Sequence, residues 1–164
     1  MKKLNIKYTT SDAYEVFSLS DTLYTFHTVN GVIYELGFME DNPLGGCDTY
    51  QFYINSVNNT RPQHDVKVKN TVVKVLAAFF EENKSVILYV CDTSDNRQLI
   101  RSNLFERWFN DFPEKKNFII LSGCLRDENV ENYASIIVKV DNPKLKDIVN
   151  DFTETLQILG SNKP

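Results

Sequence analysis

Alternating apolar and polar positions in the first part of the chain predict β-strands. Residues 14–19 have the pattern of a short strand, and residues 24–29 and 32–38 show it clearly on either side of Asn30-Gly31. Asparagine and glycine both tolerate positive φ, so this dipeptide predicts a two-residue type I′ turn. The chain is therefore expected to open with three short strands that include a β-hairpin.

The pattern then changes from strands to a helix. Residues 41–46 are rich in Asn, Pro and Gly and predict a loop, and residues 50–55 alternate as a fourth strand. Residues 65–82 place their apolar side chains at helical spacing, with polar side chains opposite. The expected buried stripe of this first helix consists of Val68, Val72, Val75, Leu76, Phe79 and Phe80.

A short, wholly apolar segment at residues 85–91 predicts a strand that is buried on both faces. Ser94 or Asp95 is expected to be the N-cap of the helix that follows, and Pro113 is expected to end that helix. The core-facing stripe of this second helix is predicted to contain Ile100, Leu104, Trp108 and Phe112.

The last third of the chain predicts an antiparallel pair of strands and a third helix. Residues 117–121 and 135–138 are apolar and predict two interior strands, joined by a polar loop. Asn142 is expected to cap the final helix, with Pro143 in its first position and Gly160 after its end. Its predicted buried face contains Leu145, Ile148, Val149, Phe152, Leu156 and Leu159.

The resulting order of elements, β-β-β-β-α-β-α-β-β-α, predicts an α/β (α+β) protein. The fourth strand, first helix and fifth strand should form a right-handed parallel crossover, and the other strands should be mostly antiparallel. We expect a mixed sheet of about seven strands with helices on both faces, in a single three-layer domain. This domain is predicted to cover residues 1–160, followed by a flexible tail at residues 161–164.

Composition and charge narrow the class of protein. The 164 residues are 42% hydrophobic and 24% charged, which is typical of a globular chain, and the net charge of −4 argues against direct nucleic-acid binding. No segment has the roughly 20 apolar residues of a membrane helix or the pattern of a signal peptide.

Cys91 and Cys124 are interpreted as small hydrophobes, and a reducing cytoplasm is the expected compartment. The cysteines and the two histidines, His27 and His64, predict no metal site and no catalytic triad.

Over about two thirds of the chain, the order of elements resembles that of the GCN5-related N-acetyltransferase family. The resemblance implies an acetyl-CoA-binding fold, in which a loop before the first helix holds the diphosphate with its backbone N–H groups. Gln63, Lys67 and Thr71 match polar positions of that loop. Val66 and Val68 stand where the family has glycine, and valine resists positive φ and crowds the close approach that phosphates require.

Three further departures concern the chemistry of that family. Asp65 puts a negative charge where the anion would lie, and residues 50–55 carry no carboxylate to act as the general base. Phe105 stands where the family often has a tyrosine as the general acid. The sequence therefore favours an acetyltransferase-like fold without catalytic residues, in which the matching polar residues are a vestigial cofactor loop. A divergent acyl-CoA-dependent N-acyltransferase, with acetyl-CoA as its cofactor, is the alternative.

One cluster of charged residues follows the fifth predicted strand and contains Asp92, Asp95, Arg97 and Arg101. Ligands commonly bind at this end of the strands in an α/β sheet, and two arginines four residues apart project from one helical face. A pair of guanidinium groups suits a carboxylate or a phosphate. The alternative interpretation is structural, in which Asp95 caps the helix and Asp92 pairs with an arginine.

Residues 89–98, together with Arg101, Leu104 and Phe105, resemble the signature of a small uncharacterised bacterial family of unknown function. That resemblance implies no mechanism. We therefore expect a non-catalytic cytoplasmic protein, without a resident cofactor, that binds a partner protein or a small anionic ligand at the charged cluster.

Overall fold

The structure of the chain is a computed structural model that describes residues 1–6, 11–91, 97–112, 114–127 and 130–160. The strands are β1 (Phe17–Ser18), β2 (Leu23–His27), β3 (Ile33–Leu44), β4 (Cys47–Ser56), β5 (Val86–Cys91), β6 (Phe118–Asp127) and β7 (Val130–Lys139). The helices are α1 (Val66–Glu82), α2 (Gln98–Asn110) and α3 (Leu145–Gly160), and a 3₁₀ turn spans Lys115–Asn117. The predicted α+β class and order of elements are confirmed, although β1 is shorter than the predicted strand at residues 14–19.

The seven strands form one mixed sheet in the order β1-β2-β3-β4-β5-β7-β6. The pairs β1/β2, β2/β3, β5/β7 and β6/β7 are antiparallel. Because β6 lies at an edge of the sheet, the prediction of two interior late strands is correct for β7 and wrong for β6. The chain divides into two compact units, residues 1–39 with 52–84 (unit 1) and residues 40–51 with 85–164 (unit 2).

In unit 1, helix α1 buries the stripe that its sequence predicts. All six residues of that stripe are buried, so this prediction is confirmed. Phe79 stacks on Phe38 with ring centroids 4.8 Å apart, and Phe38 meets the ring of Phe52 at 5.5 Å. Aromatic rings from β3, β4 and α1 therefore form the centre of this unit.

The β2–β3 hairpin forms where Asn30-Gly31 predicts it, but its turn differs from the prediction. Gly31 has a φ of +78°, whereas Asn30 does not have a positive φ. The Gly31 N–H donates to the Thr28 carbonyl, and the Thr28 N–H donates to the Val32 carbonyl. One left-handed glycine after a tight turn is typical of a three-residue hairpin loop. The predicted two-residue type I′ turn is therefore wrong at this position.

Residues 41–46, predicted as a loop, are instead the end of a long hairpin. β3 continues through Pro43, and Gly45 and Gly46 make the turn with φ values of +55° and +70°. Two consecutive residues with positive φ are typical of a type I′ turn. A Cβ atom on Gly45 would lie 2.4 Å from the backbone carbonyl carbon of Asp147 in α3, so this contact requires glycine. Local composition misleads here because Pro and Gly mark loops and tight hairpins alike.

In unit 2, helix α3 covers one face of β5, β7 and β6. Leu88 and Val90 of β5 and Leu156 of α3 pack against the buried cluster on this face. The buried members of that cluster are Cys47, Val86, Ala134, Ile136, Val138, Ile148 and Phe152.

The ends of α3 differ slightly from the prediction. Asn142 Oδ1 accepts a hydrogen bond from the Lys144 N–H at 2.9 Å, which confirms the predicted capping role of Asn142. The helix itself begins at Leu145 rather than at Pro143, and it includes Gly160. Leu159, predicted to be buried, is exposed because it lies in the last turn of the helix.

Helix α2 covers the opposite face of the same three strands. Tyr89 points to the face of β5 opposite the one that meets α3, because successive residues of a strand point to opposite faces. Its ring stacks on Phe105 of α2 with centroids 4.0 Å apart. Phe109 and Phe112 stack on each other at 5.5 Å, and both meet Phe118 edge-on. The inner side of α2 is therefore an aromatic cluster.

The buried stripe of α2 is rotated from the predicted one. Phe112 is buried as predicted, but Ile100 is 62% exposed, Leu104 is 38% exposed and Trp108 is half-buried. The predicted N-cap residues Ser94 and Asp95, the predicted terminator Pro113 and the predicted tail at 161–164 lie outside the described residues. No helix in the described part of the chain is long and apolar enough to cross a membrane.

Candidate functional site

A band of polar side chains crosses the α2-facing side of β5, β7 and β6, at the carboxyl end of β5. Cys91 of β5 is paired with Tyr133 of β7, and Tyr133 is paired in turn with Cys124 of β6. Directly opposed residues of antiparallel strands share one face of the sheet. The two cysteines therefore lie on either side of the tyrosine.

The neighbouring row on this face contains Tyr89, Ser135 and Ser122. The two serine hydroxyls are hydrogen-bonded, with their Oγ atoms 2.7 Å apart. Ser135 is buried and Ser122 is exposed, so this row runs from the interior to the surface. The two rows together are called the polar patch, which consists of Tyr89, Cys91, Ser122, Cys124, Tyr133 and Ser135.

Arg101 brings a positive charge from α2 to the β5 end of the polar patch. Burial, the largest effect, raises the pKa of the Tyr89 hydroxyl and the pKa of the Cys91 thiol. The nearby Arg101 guanidinium opposes that shift at both groups without cancelling it. Tyr89 and Cys91 are therefore neutral at physiological pH, and the hydroxyl and the thiol are hydrogen-bonded to each other.

A carboxylate lies at the β7 side of the polar patch. Tyr133 Oη donates a hydrogen bond to Glu131 Oε2 at 3.0 Å. This bond, together with burial, raises the pKa of Tyr133. The patch thus has a guanidinium at one side, a carboxylate at another and neutral hydroxyl and thiol groups between them. No group of three or more His, Cys, Asp and Glu side chains within the described ranges is placed to hold a metal ion.

The two arginines of the predicted charged cluster lie on consecutive turns at the start of α2. Arg97 is the N-cap residue, makes no side-chain bond to cap the helix, and accepts the Arg101 N–H at its backbone carbonyl. Arg97 is exposed and Arg101 is half-buried. Asp92 and Asp95, the predicted carboxylates, lie outside the described residues. Of the four residues in the predicted charged cluster, Arg101 is therefore the one that the structure brings near the polar patch.

Sequence reasoning missed the polar patch itself. From sequence, Cys91 and Cys124 are interpreted as small hydrophobes, which is the usual role of a reduced cysteine at the end of an apolar strand. The available signal was the interruption of apolar strands by hydroxyl groups, with Ser122 in β6 and Tyr133 and Ser135 in β7. Only the strand register shows that these interruptions meet on one face.

The residues that match an acyl-CoA loop lie around the start of α1. Asp65 is the N-cap, with Oδ1 accepting the Lys67 N–H at 2.9 Å and Oδ2 accepting the Tyr14 hydroxyl. Thr71 is buried; its hydroxyl donates to the Lys67 carbonyl and accepts the Tyr14 N–H. Gln63 is exposed. A carboxylate of the chain itself therefore lies where an anion would bind at this helix end.

Residues 64–154 match DUF6169, which is described as a family of unknown function. The match covers more than half of the 164 residues. The chain is a member of DUF6169. Within this family region lie α1, α2, the polar patch and both arginines, and the membership agrees with the resemblance of residues 89–98 to an uncharacterised family. No curated protein matches the chain.

Proposed function

We propose that this DUF6169 protein is a non-catalytic, acetyltransferase-like protein that binds an anionic group at Arg97, Arg101 and the polar patch. The anionic group is carried by a small ligand or by a partner protein. The observation that carries the proposal is that the Arg101 charge lies within electrostatic range of the Tyr89 hydroxyl and the Cys91 thiol, at the carboxyl end of β5.

The chemistry of the patch suits an anion. A guanidinium group presents a fork of N–H donors that matches the oxygens of a carboxylate or a phosphate. Burial keeps Tyr89 and Cys91 protonated, and their hydroxyl and thiol are hydrogen-bonded to each other, so the pair adds a neutral polar group and no negative charge near the guanidinium. Glu131, which accepts the Tyr133 hydroxyl, repels a second negative charge at its own side of the patch. The arrangement therefore favours a group whose negative charge is concentrated at the Arg101 end.

The start of α1 supports the non-catalytic part of the proposal. The Asp65 carboxylate caps the helix and would repel the diphosphate of acetyl-CoA at that position. Thr71 already uses its hydroxyl in bonds to Lys67 and Tyr14. The alternative, a divergent N-acyltransferase, would require acetyl-CoA to displace the Asp65 cap or to bind elsewhere.

Calorimetric titration tests this proposal with two probes, inorganic phosphate and acetyl-CoA, at low ionic strength. We expect saturable phosphate binding that Arg101→Ala weakens at least about tenfold, because a hydrogen bond to a charged group contributes about 1.5–3 kcal/mol. Arg107→Ala is the matched control, because Arg107 is an exposed arginine of the same helix that lies away from the polar patch. Both variants should melt at the wild-type temperature.

Two results would overturn the proposal. Phosphate that fails to bind, or that binds Arg101→Ala as well as Arg107→Ala, would remove the anion site. Micromolar binding of acetyl-CoA with transfer of its acetyl group to an amine would remove the non-catalytic assignment and establish the acyltransferase alternative.

A further inference from the structure

Helix α2 has a second apolar stripe on a side that the sheet does not cover. Ile100, Leu104 and Trp108 are four residues apart and lie along one side of the helix. The first two are exposed and the third is half-buried. These three residues are called the outer stripe. The sheet is covered instead by the phenylalanine side chains of the inner face.

An apolar stripe of this kind on a surface helix indicates a contact that the described part of the chain does not itself supply. Helices that are apolar on more than one side are normally buried on more than one side. The outer stripe extends over about two helical turns, or roughly 12 Å. This length and the four-residue spacing suit a second helix, whose side-chain ridges would pack along the stripe.

Arginines line the outer stripe. Arg97, Arg101 and Arg107 each lie three residues from one of its members, which makes them neighbours on the helix surface. The acidic residue of α2, Glu106, is two residues from the nearest stripe residues and points to a different side. Asp111, the residue that follows α2, is also three residues from Trp108, so the rim of the outer stripe carries three guanidinium groups and one carboxylate, in a chain whose net charge is −4.

We propose that the outer stripe of α2 docks an acidic amphipathic helix of a partner protein. Apolar side chains of that helix pack on Ile100, Leu104 and Trp108, and its flanking carboxylates bind the arginines. The inference rests on the proposed function, because Arg97 and Arg101 are the residues assigned there to an anionic group. A second copy of this chain fits less well, since it would place its own three arginines against these three.

The chain provides its own reporter for this contact. Trp108 is the single tryptophan of the protein and belongs to the outer stripe. The probe is a synthetic helical peptide of about five turns with leucines along one side and glutamates beside them. Saturable binding should shift the Trp108 fluorescence to shorter wavelength, because the peptide removes water from the indole ring. A peptide with lysine in place of every glutamate is the charge control.

Matched variants locate the contact on the protein. The double variant Ile100→Ser, Leu104→Ser should weaken binding of the acidic peptide by tenfold or more, because central apolar anchors dominate such interfaces. Val29→Ser is the control, because Val29 is 81% exposed in the β2–β3 loop, in a different part of the chain. This control should bind the peptide with wild-type affinity.

The outcomes separate the two proposals. The docking surface is overturned if the acidic peptide gives no saturable shift, if the lysine peptide binds equally well, or if the double variant binds like wild type. Sedimentation that shows a dimer abolished by the double variant would assign the stripe to a second copy and overturn the partner helix. Phosphate binding that persists in the double variant leaves the anion site standing when docking fails. Peptide binding without phosphate binding would leave the docking surface standing and overturn the anion site.

Discussion

Helices α1 and α2 both have clear apolar spacing, but only one of them buries the side that the spacing predicts. All six predicted residues of α1 are buried. In α2, Ile100 and Leu104 are exposed, whereas Phe105 and Phe109 are buried. The opposite side of α1 carries polar residues, so that helix has a single apolar face. Helix α2 is apolar on several sides, and the stacking of Phe105 on Tyr89 decides which side is covered.

This difference shows what periodicity can determine. Apolar spacing identifies the buried side of a helix when the remaining sides are polar. When a helix has two apolar stripes, the spacing shows that the segment is helical, but it does not show which stripe faces the sheet. Rotation then depends on residues from other elements, which in α2 are Tyr89 of β5 and Phe118 of β6.

The largest effect should come from the core of α1. Phe79→Ala removes a fully buried ring that stacks on Phe38, and we expect the free energy of unfolding to fall by about 3–5 kcal/mol. Urea denaturation followed by circular dichroism measures this loss. A loss under about 1 kcal/mol would contradict the assignment of Phe79 to the core.

Substitutions at the N-caps of the two helices should change the free energy of unfolding by less than Phe79→Ala does, and by different amounts. Asp65→Ala removes the acceptor for the Lys67 N–H and for the Tyr14 hydroxyl, and we expect a loss of about 1–2 kcal/mol. Asp65→Asn keeps a capping oxygen and should lose less. Arg97→Ala should change stability by less than about 0.5 kcal/mol, because Arg97 makes no side-chain cap bond to α2. Similar losses for Asp65→Ala and Arg97→Ala in urea denaturation would contradict this distinction.

Alkaline pH should weaken the packing of α2 on β5. Burial raises the pKa of Tyr89, so the folded protein keeps this proton above pH 10.0, where an unfolded tyrosine loses it. The stability linked to this group is fully present below pH 10.0 and is lost as pH rises through the folded pKa. The loss is about 1.4 kcal/mol for each pH unit in that window. Urea denaturation at a series of alkaline pH values should show a shallower decline for Tyr89→Phe, and parallel curves would contradict the assignment.

The smallest effect on stability should come from the outer stripe. The double variant Ile100→Ser, Leu104→Ser replaces side chains that already face water, so we expect the free energy of unfolding to change by about 0.5 kcal/mol or less. Val72→Ser in α1 is the matched control, because it places a hydroxyl at a fully buried position of a predicted stripe. If the double variant were as destabilised as Val72→Ser, the outer stripe would have to be covered by the folded chain.

The order of elements could be predicted from sequence because it depends on local periodicity and on capping residues such as Asn142. The Gly45-Gly46 turn could not, because its composition fits a loop as well as a hairpin. At the candidate site, the four-residue spacing of Arg97 and Arg101 predicts that they project from one side of the helix. The alignment of Cys91, Tyr133 and Cys124 depends on the register of three strands, which no local pattern contains.

The tip of the β3–β4 hairpin is hydrogen-bonded to residues at α3, although the two segments are far apart in the sequence. The Gly45 N–H donates to Asp151 Oδ2 at 2.7 Å, a contact between residues 106 positions apart, and the Lys144 ammonium donates to the Gly46 carbonyl. Unit 2 is therefore completed only when an early segment meets the last helix, which makes its assembly a long-range event. The family region, residues 64–154, excludes this hairpin, so an excised fragment with those limits would expose Ile148 and Phe152. A fragment made for folding studies should therefore begin before Ile33, so that it keeps the hairpin tip that contacts α3.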